Sequence, residues 1–195
     1  MNSFAKPETL VATALAPLDW ARSVALVFAF SLLTALAAQV SIPLLPVPIT
    51  GQTFAVLLTG AVLGSRLGAT ALILYLVEGA CGLPFFSGGT GGLQMLLGPT
   101  GGYLVAFPAA AFITGAFAEH GWDRKFITAV AAMAIGSVVI LLTGWAWLSQ
   151  FMPPAVAWHA GVTRFIVGDI VKLVAAAAVL PTGWYFLNRR ASQNQ

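Results

Sequence analysis

Long stretches of this chain carry no charged side chain. Positions 23–65, 126–163 and 173–188 contain no Asp, Glu, Lys or Arg, and positions 67–118 contain only Glu78. Of the 195 residues, 8% are charged and 59% are hydrophobic, whereas soluble domains carry about 25% charged residues. A soluble fold of this length cannot bury so much apolar surface. The sequence therefore predicts an all-α integral membrane protein.

The charge-free stretches divide into six predicted transmembrane helices, roughly 22–40, 51–64, 67–82, 102–118, 125–148 and 162–187. A membrane helix needs about 20 apolar residues, so six of them leave no room for a soluble domain. We therefore expect a cytosolic tail over residues 1–21, one six-helix membrane domain over 22–190 and a cytosolic C-terminal tail over 191–195. Thr9 is a candidate N-cap for a short interfacial helix within the first tail.

The basic residues predict how the helices are oriented. The loops on one side, residues 41–50, 83–101 and 149–161, contain no Lys or Arg. Seven of the nine basic residues fall on the other side: Lys6, Arg22, Arg66, Arg124, Lys125, Arg189 and Arg190. Because short cytoplasmic loops retain positive charge, both termini are predicted to be cytoplasmic in a multi-pass protein of the plasma membrane.

Several function classes are excluded by what the sequence lacks. It contains no GxxxxGK[ST], GxSxG or HExxH motif for ATP binding or catalysis. Its basic residues are scattered, whereas nucleic-acid binders cluster them. Cys81 is the single cysteine, and His120 and His159 lie far apart. We predict a protein that is not an enzyme, has no cofactor or metal and binds no nucleic acid.

Two predicted external connections have unusual compositions. The first, residues 41–52, contains three prolines and reads as a stiff, non-helical lid. The second, residues 82–103, has seven glycines between positions 88 and 102, which allow backbone to approach a ligand closely. Irregular backbone at membrane depth is tolerated where it lines a cavity, so both connections are predicted to enclose one.

Asp169 and Lys172 are charged residues inside the last predicted helix. They are three residues apart and share one helix face. If the helix enters the membrane near residue 163, they lie about 9 Å and about 14 Å deep at 1.5 Å per residue. Each charge costs about 3 kcal/mol there, which indicates a functional site. The alternative is an ion pair that neutralises itself and holds two helices together.

Four further polar residues are candidates for the same site. Glu78, the only charge in the third helix, is expected either to join the Asp169 site or to pair with Arg164. Tyr103 lies at the mouth of the fourth helix, where anchoring at the membrane interface is the alternative. Gln52 begins a short helix next to Thr50, so helix capping is its alternative role.

Four motifs in this order resemble the BioY family, the biotin-specific S components of energy-coupling factor (ECF) transporters. They are Val47-Pro-Ile-Thr-Gly-Gln52, Gly82-Leu-Pro-Phe-Phe86, Gly98-Pro-Thr-Gly-Gly-Tyr103-Leu104 and Gly168-Asp169-x-x-Lys172. Each motif alone is weak, but four in order are specific, and the likeness covers nearly the whole chain after residue 20. Phe86 and Glu78 depart from the residues expected at their positions.

The resemblance implies a six-helix S-component fold and high-affinity uptake of biotin, energised by a T component and two ATPases. It places the ligand at Asp169 and Lys172, with Tyr103, Gln52 and the Gly-rich loop as walls. Phe85, Phe86 and Trp158 are expected to pack the apolar body of the ligand. Two alternatives stay open: an S component for a different vitamin, and a stand-alone secondary transporter or channel. An intramembrane enzyme would need a catalytic constellation that the sequence lacks.

A ridge of small residues on the first helix is the predicted partner-docking surface. Ala21, Ala25 and Ala29 recur every four residues, which lets another membrane helix approach closely. The resemblance implies that this ridge meets the T component. The alternative is packing within the bundle against the equally small run Ala175–Ala178.

Overall fold

Helices make up more than three quarters of the residues that the structure, a computed structural model, describes, namely 9–15 and 17–193. In chain order they are α1 (Leu10–Ala14), α2 (Trp20–Gln39), α3 (Gln52–Leu63), α4 (Ser65–Ala80), α5 (Leu93–Leu97), α6 (Gly101–Glu119), α7 (Phe126–Leu148), α8 (Pro154–Trp158) and α9 (Ile166–Gln193). A two-stranded antiparallel hairpin, β1 (Ser41–Ile42) and β2 (Ile49–Thr50), joins α2 to α3. The predicted all-α fold is confirmed.

Four helical segments are long and apolar enough to cross a membrane: Trp20–Gln39, Gly101–Glu119, Phe126–Leu148 and Pro154–Arg189. The remaining two predicted spans correspond to α3, with 12 residues, and α4, with 16 residues. At 1.5 Å per residue α3 is about 18 Å long, less than the hydrocarbon thickness of about 30 Å. The count of six spans stays a prediction.

The last helical segment begins earlier than the sequence predicted. Residues 149–161 were expected to form a loop, with a helix from 162. Instead, helical structure starts at Pro154 and passes through a π-helical turn, His159–Thr163, before α9. Pro154 occupies the first turn of α8, where its missing N–H costs no hydrogen bond, so it starts a helix here.

α6 lies at the centre of the bundle and packs against α3, α4 and α7. Its Ala106, Phe107, Ala110 and Ala111 are all buried. A side chain on Gly60 of α3 would clash with the backbone of Ala111, so the two helices meet at a distance that only glycine allows. This close packing fixes the ends of α3 and α6 beside each other.

A tight turn at Gly64 reverses the chain between α3 and α4. Gly64 has a φ of +89°, a backbone angle that residues other than glycine rarely adopt. The Glu119 carboxylate at the end of α6 accepts hydrogen bonds from the Ser65 amide at 2.7 Å and the Ser65 hydroxyl at 2.8 Å. The Glu119 carboxylate therefore caps the first turn of α4 and links the end of α6 to the turn between α3 and α4.

The expected short helix before the first span is confirmed as α1. The Thr9 hydroxyl caps it by accepting a hydrogen bond from the Ala12 amide at 3.4 Å, and α1 packs against α3 and α9. Of the two predicted tails, residues 1–8, 16, 194 and 195 lie outside the described residues. α2 begins at Trp20, inside the predicted tail, and α9 extends to Gln193.

The α6–α7 connection holds a buried carboxylate. Asp123, in the short 3-10 turn Trp122–Arg124, is 1% exposed and accepts a hydrogen bond from the Trp184 indole at 2.6 Å. The Arg124 guanidinium lies 4.8 Å from the centre of the Trp184 ring. These contacts fasten the connection to α9 at the end of the bundle opposite the hairpin.

Candidate functional site

A cavity of about 180 Å³ lies at the end of the bundle where α3 and α6 begin. Its walls are mainly apolar, with hydroxyl and amide groups from a few residues. They are formed by Val47, Pro48, Thr50, Gln52, Thr53, Phe86, Ser87, Thr90, Met95, Thr100, Tyr103, Leu104, Phe107, Ile140, Leu141 and Phe165. A concave, mainly apolar space with a few polar groups is typical of a small-molecule site.

The proline-containing connection closes one side of this cavity. Strands β1 and β2 pair Ser41 with Thr50 and Ile42 with Ile49, which turns residues 43–48 into the tip of a hairpin. Val47 and Pro48 of this tip contribute to the cavity wall. The Arg164 guanidinium donates to the Leu45 carbonyl at 3.5 Å, so the segment just before α9 contacts the hairpin tip. The predicted non-helical lid is confirmed.

The glycine-rich connection closes a second side. Phe86 pairs with Thr90 in an antiparallel bridge, and both residues line the cavity. The Gln39 side chain at the end of α2 donates to the Phe86 carbonyl at 3.3 Å. Phe86 is 2% exposed because its ring occupies the space beside Gly79, where any larger residue would clash. The large residue at position 86 is therefore accommodated by α4.

Tyr103 stands in the cavity wall. It is 7% exposed, so its ring faces the interior of the bundle, whereas an interfacial anchor faces lipid. Its hydroxyl donates to the Gly161 carbonyl at 2.9 Å, and its ring stacks on Phe165 with centroids 6.1 Å apart. Gly144 of α7 leaves room for this ring. Tyr103 therefore joins α6 to the segment before α9.

Gln52 belongs to a buried hydrogen-bond network that the sequence analysis did not find. Its side-chain oxygen accepts from the Thr50 hydroxyl at 2.8 Å, and its nitrogen donates to the Tyr75 hydroxyl at 2.5 Å. Tyr75, which is fully buried on α4, donates in turn to the Phe85 carbonyl at 3.1 Å. A tyrosine in the middle of an apolar helix was the available signal, because a buried hydroxyl needs a partner.

Asp169 and Lys172 form an ion pair directly behind the cavity wall. The Lys172 nitrogen lies 3.2 Å from the Asp169 carboxylate and 3.1 Å from the Thr53 hydroxyl. Thr53 lines the cavity, whereas neither charged residue does. Asp169 also accepts a hydrogen bond from Ser137 at 3.3 Å. The predicted pair exists, and a single threonine side chain separates it from the cavity.

Glu78 and Arg164 do not come together. Glu78 accepts a hydrogen bond from Ser31 of α2. Within the described residues the ion pairs are Arg22–Asp19 and Lys172–Asp169, so neither expectation for Glu78 is met. α4 packs against α2 here, which turns Glu78 away from α9. Trp158, which was expected to pack against the ligand, lies outside the cavity wall. Its ring packs edge-on against Trp145 with centroids 5.5 Å apart.

The described residues contain no group of three or more His, Cys, Asp or Glu side chains close enough to hold a metal ion. Cys81 is exposed at the end of α4. The polar groups at the cavity are therefore hydroxyls, one carboxamide and the Asp169–Lys172 pair behind them. Such groups can donate to and accept from a polar organic ligand.

Comparison with known proteins identifies relatives along most of the chain. The sequence profile of the BioY family matches residues 7–189. The probable biotin transporter BioY of Pyrococcus horikoshii is 45% identical over 132 residues, which cover 68% of this chain and 77% of that protein. The biotin transporter BioY of Thermotoga maritima is 42% identical over 112 residues, covering 57% of this chain and 66% of that protein.

A solved structure shares the fold. It is the crystal structure at 2.1 Å of the S component for biotin from an ECF-type ABC transporter, with a TM-score of 0.75 and 23% sequence identity. The match covers 83% of this chain and 90% of that one. The family profile covers more than nine tenths of the residues and includes all four motifs around the cavity. This chain belongs to the BioY family.

Proposed function

We propose that this chain captures biotin and takes it up as the S component of an ECF-type transporter. The observation that carries the proposal is the convergence of the four sequence motifs on one cavity. Val47, Gln52, Phe86 and Tyr103, which come from three of them, line its wall. The fourth motif supplies Asp169 and Lys172, one side chain behind that wall.

The chemistry of the cavity fits biotin. Biotin has a ureido ring with two N–H donors and one carbonyl acceptor, an apolar thioether body and a carboxylate tail. Phe86, Phe107 and Phe165 offer apolar surface to the body, while Thr50, Gln52 and Thr53 offer polar groups on one side. The Asp169–Lys172 pair lies behind Thr53 and contacts its hydroxyl. Hydrogen bonds to charged groups contribute about 1.5–3 kcal/mol each.

The membrane topology follows from the same proposal. Six spans over residues 22–190 require that α3 and α4 each cross the membrane, in addition to the four long segments. The two helices would cross as an antiparallel pair joined at Gly64. The distribution of the basic residues supports cytoplasmic termini and a cavity on the outer side. A cavity that opens outward suits the capture of a nutrient.

The docking surface for a transmembrane T component, which carries two ATPases, is proposed at the small-residue ridge of α2. Ala21, Ala25 and Ala29 are all exposed. α2 packs mainly against α4 and α3, whereas α9 packs against α7 and α3. The alternative of internal packing against Ala175–Ala178 is therefore not favoured. An exposed ridge of small residues fits a partner helix.

The chain belongs to a family of transporters and is not an enzyme, as the sequence predicted. Its relatives from Pyrococcus horikoshii and Thermotoga maritima carry the names of transporters. The proposal assigns the energy for uptake to partner ATPases, since the sequence itself has no nucleotide-binding loop.

A ligand panel on purified protein tests the proposal. Tritiated biotin is titrated against the protein in nanodiscs, with unlabelled biotin, thiamine and riboflavin as competitors. We expect saturable binding that only biotin displaces. Displacement by a different vitamin would assign another S-component specificity. If none of the vitamins binds, then a secondary transporter becomes the better interpretation, and uptake driven by an ion gradient in cells without ECF partners would identify it.

A further inference from the structure

Tyr75 connects the polar wall of the cavity to the glycine-rich loop. It is fully buried, and its ring lies edge-on to Phe86 with centroids 5.6 Å apart. Its hydroxyl lies within hydrogen-bond distance of the Gln52 side-chain nitrogen, at 2.5 Å, and of the Phe85 carbonyl, at 3.1 Å. Tyr75 itself does not line the cavity. Its effect on a ligand must therefore pass through these neighbours.

The hydrogen-bond partners determine which way the Gln52 amide faces. A carbonyl oxygen only accepts, so the single proton of the Tyr75 hydroxyl is given to Phe85. The Tyr75 oxygen must then accept from Gln52, which requires the nitrogen end of the amide at Tyr75. The oxygen end consequently faces Thr50, whose hydroxyl donates to it at 2.8 Å. The reversed amide would leave the Phe85 carbonyl without this donor.

This orientation decides what Gln52 offers to a ligand. A carboxamide has two N–H donors, and one of them is committed to Tyr75. Gln52 is 5% exposed and lines the cavity, so its second N–H is the donor left for the space beside it. An N–H that lies ready at a fixed position favours a ligand atom that accepts a hydrogen bond, and it disfavours one that donates.

We propose that Tyr75 is a positioning residue for ligand selection: it holds Gln52 so that an N–H faces the cavity and binds an acceptor oxygen of the ligand. The inference rests on the proposed biotin function. Biotin carries two acceptors of this kind, the ureido carbonyl and the carboxylate. Both acceptors are carbonyl-type oxygens, and ligand analogues that lack one or the other show which of them Gln52 binds.

Binding measurements with three probes test this role. The probes are biotin, 2-iminobiotin, which lacks the ureido oxygen, and biotinol, in which an alcohol replaces the carboxylate so that no carbonyl-type oxygen remains at the tail. We expect Tyr75→Phe to weaken biotin binding about tenfold, as for the loss of one well-placed hydrogen bond. The variant should bind one analogue as well as wild type does, and that analogue identifies the acceptor. Tyr185→Phe, at an exposed tyrosine of α9, is the matched control and should change nothing.

Uniform weakening for all three probes, or no weakening for any, would overturn the positioning role, because a merely structural tyrosine cannot alter the preference among analogues. Gln52→Met removes the donor itself. If Tyr75 acts through Gln52, the double variant should bind biotin no more weakly than Gln52→Met alone. Additive losses would argue against the proposed connection.

A measurement without ligand separates this inference from the proposed function. In protein labelled with ¹⁵N at glutamine side chains, the Gln52 amide is assigned by its loss in Gln52→Met. We expect one of its two protons to exchange slowly with deuterium in wild type and rapidly in Tyr75→Phe. If that holds while wild type fails to bind biotin, the function is wrong and the amide orientation stands. Rapid exchange of both protons in wild type overturns the orientation.

Discussion

The Lys172 ammonium lies 3.2 Å from the Asp169 carboxylate, and both groups contact the hydroxyl of Thr53. The two residues are three positions apart on α9, so the pair is set by the helix itself. The Asp169 side chain is 7% exposed and that of Lys172 is 19% exposed, so water screens the pair only weakly. Thr53 is the residue through which this charge pair reaches the cavity.

We predict that Asp169→Asn loses most biotin binding while the protein still inserts and purifies normally. The substitution keeps the side-chain volume and an acceptor for Thr53 and Ser137 but removes the charge. Loss of one charged hydrogen bond, about 1.5–3 kcal/mol, corresponds to a tenfold to hundredfold weaker Kd. Ser137→Ala, which removes only a neutral donor to the same carboxylate, is the matched control and should have a small effect.

Equilibrium binding of tritiated biotin to the purified variants checks this prediction. Near-wild-type affinity in Asp169→Asn would remove Asp169 from the ligand site. If Asp169→Asn fails to fold, the alternative role is favoured, in which the Asp169–Lys172 ion pair holds two helices together. The double substitution Asp169→Leu with Lys172→Leu should then restore a folded protein, since replacing a buried pair by apolar residues is often neutral.

The buried carboxylate of Asp123 predicts a pH-dependent stability. Burial raises the pKa of Asp123 above its ordinary value of 3.8, although the Trp184 hydrogen bond and the Arg124 charge oppose the shift. The folded state therefore holds its proton more tightly than the unfolded state does. Stability from this group is full below the unfolded pKa and is lost as the pH rises through the folded pKa.

We expect Asp123→Asn to flatten the acidic part of the stability profile. Asparagine keeps an acceptor for the Trp184 indole but does not titrate. Thermal unfolding between pH 4 and pH 8 should show an advantage of the variant over wild type that grows with pH. Asp19→Asn, at an exposed carboxylate, should keep the wild-type slope. Parallel profiles for wild type and Asp123→Asn would contradict the shift.

The sequence predicts the helices well and the contacts between them poorly. Charge-free stretches indicate where the apolar helices lie, because lipid tolerates few charges. The partners of buried polar groups depend instead on packing between distant segments. Ser31 is 47 residues from Glu78, and Gln52 is 23 residues from Tyr75. No local pattern joins them, although the positions of Gln52 and Tyr103 at the starts of helices already made both candidates for the site.

Trp184 shows the same limit at the other end of the bundle. Its place near the end of a span predicts an interfacial aromatic residue. In the structure Trp184 is instead 8% exposed. It packs against the α6–α7 connection and donates a hydrogen bond to Asp123, which lies 61 residues earlier in the chain. Only the place of Trp184 near the end of a helix can be predicted from the sequence. Its burial requires the packing of α9.

A labelling experiment tests on which side of the membrane the cavity lies. Ser87 lines the cavity within the glycine-rich loop, and Cys81 is exposed. On a Cys81→Ala background, Ser87→Cys should react with a charged, membrane-impermeant maleimide added outside intact cells. Biotin should slow that reaction, because the residue faces the ligand. The rate is measured by the mass shift of the protein.

The matched control for this labelling is Asn188→Cys, at an exposed position near the opposite end of α9. It should react only after the membrane is opened. If the two positions exchange their behaviour, the orientation is reversed. Labelling at position 87 that is insensitive to biotin would remove the loop from the ligand site and leave the orientation intact.

The exposed ridge of α2 predicts where the transporter assembles. Ala21, Ala25 and Ala29 lie one helical turn apart, and a partner helix can approach them closely because they have no large side chain. The ridge is in the half of α2 far from the cavity, which opens near the other end of that helix. We therefore predict that Ala25→Trp leaves biotin binding by the solitary protein unchanged but prevents stable assembly with the T component and ATPases.

Co-purification of the tagged chain with candidate T and ATPase subunits measures assembly, while titration of the isolated variant measures biotin binding. Ala175→Trp is the matched control, since Ala175 is an exposed alanine on α9 outside the ridge. It should assemble normally, because a tryptophan that faces only lipid displaces no partner. Normal assembly of Ala25→Trp would exclude the ridge as the docking surface, and equal loss in both variants would mean that the bulk of the side chain, rather than its position on α2, disrupts the complex.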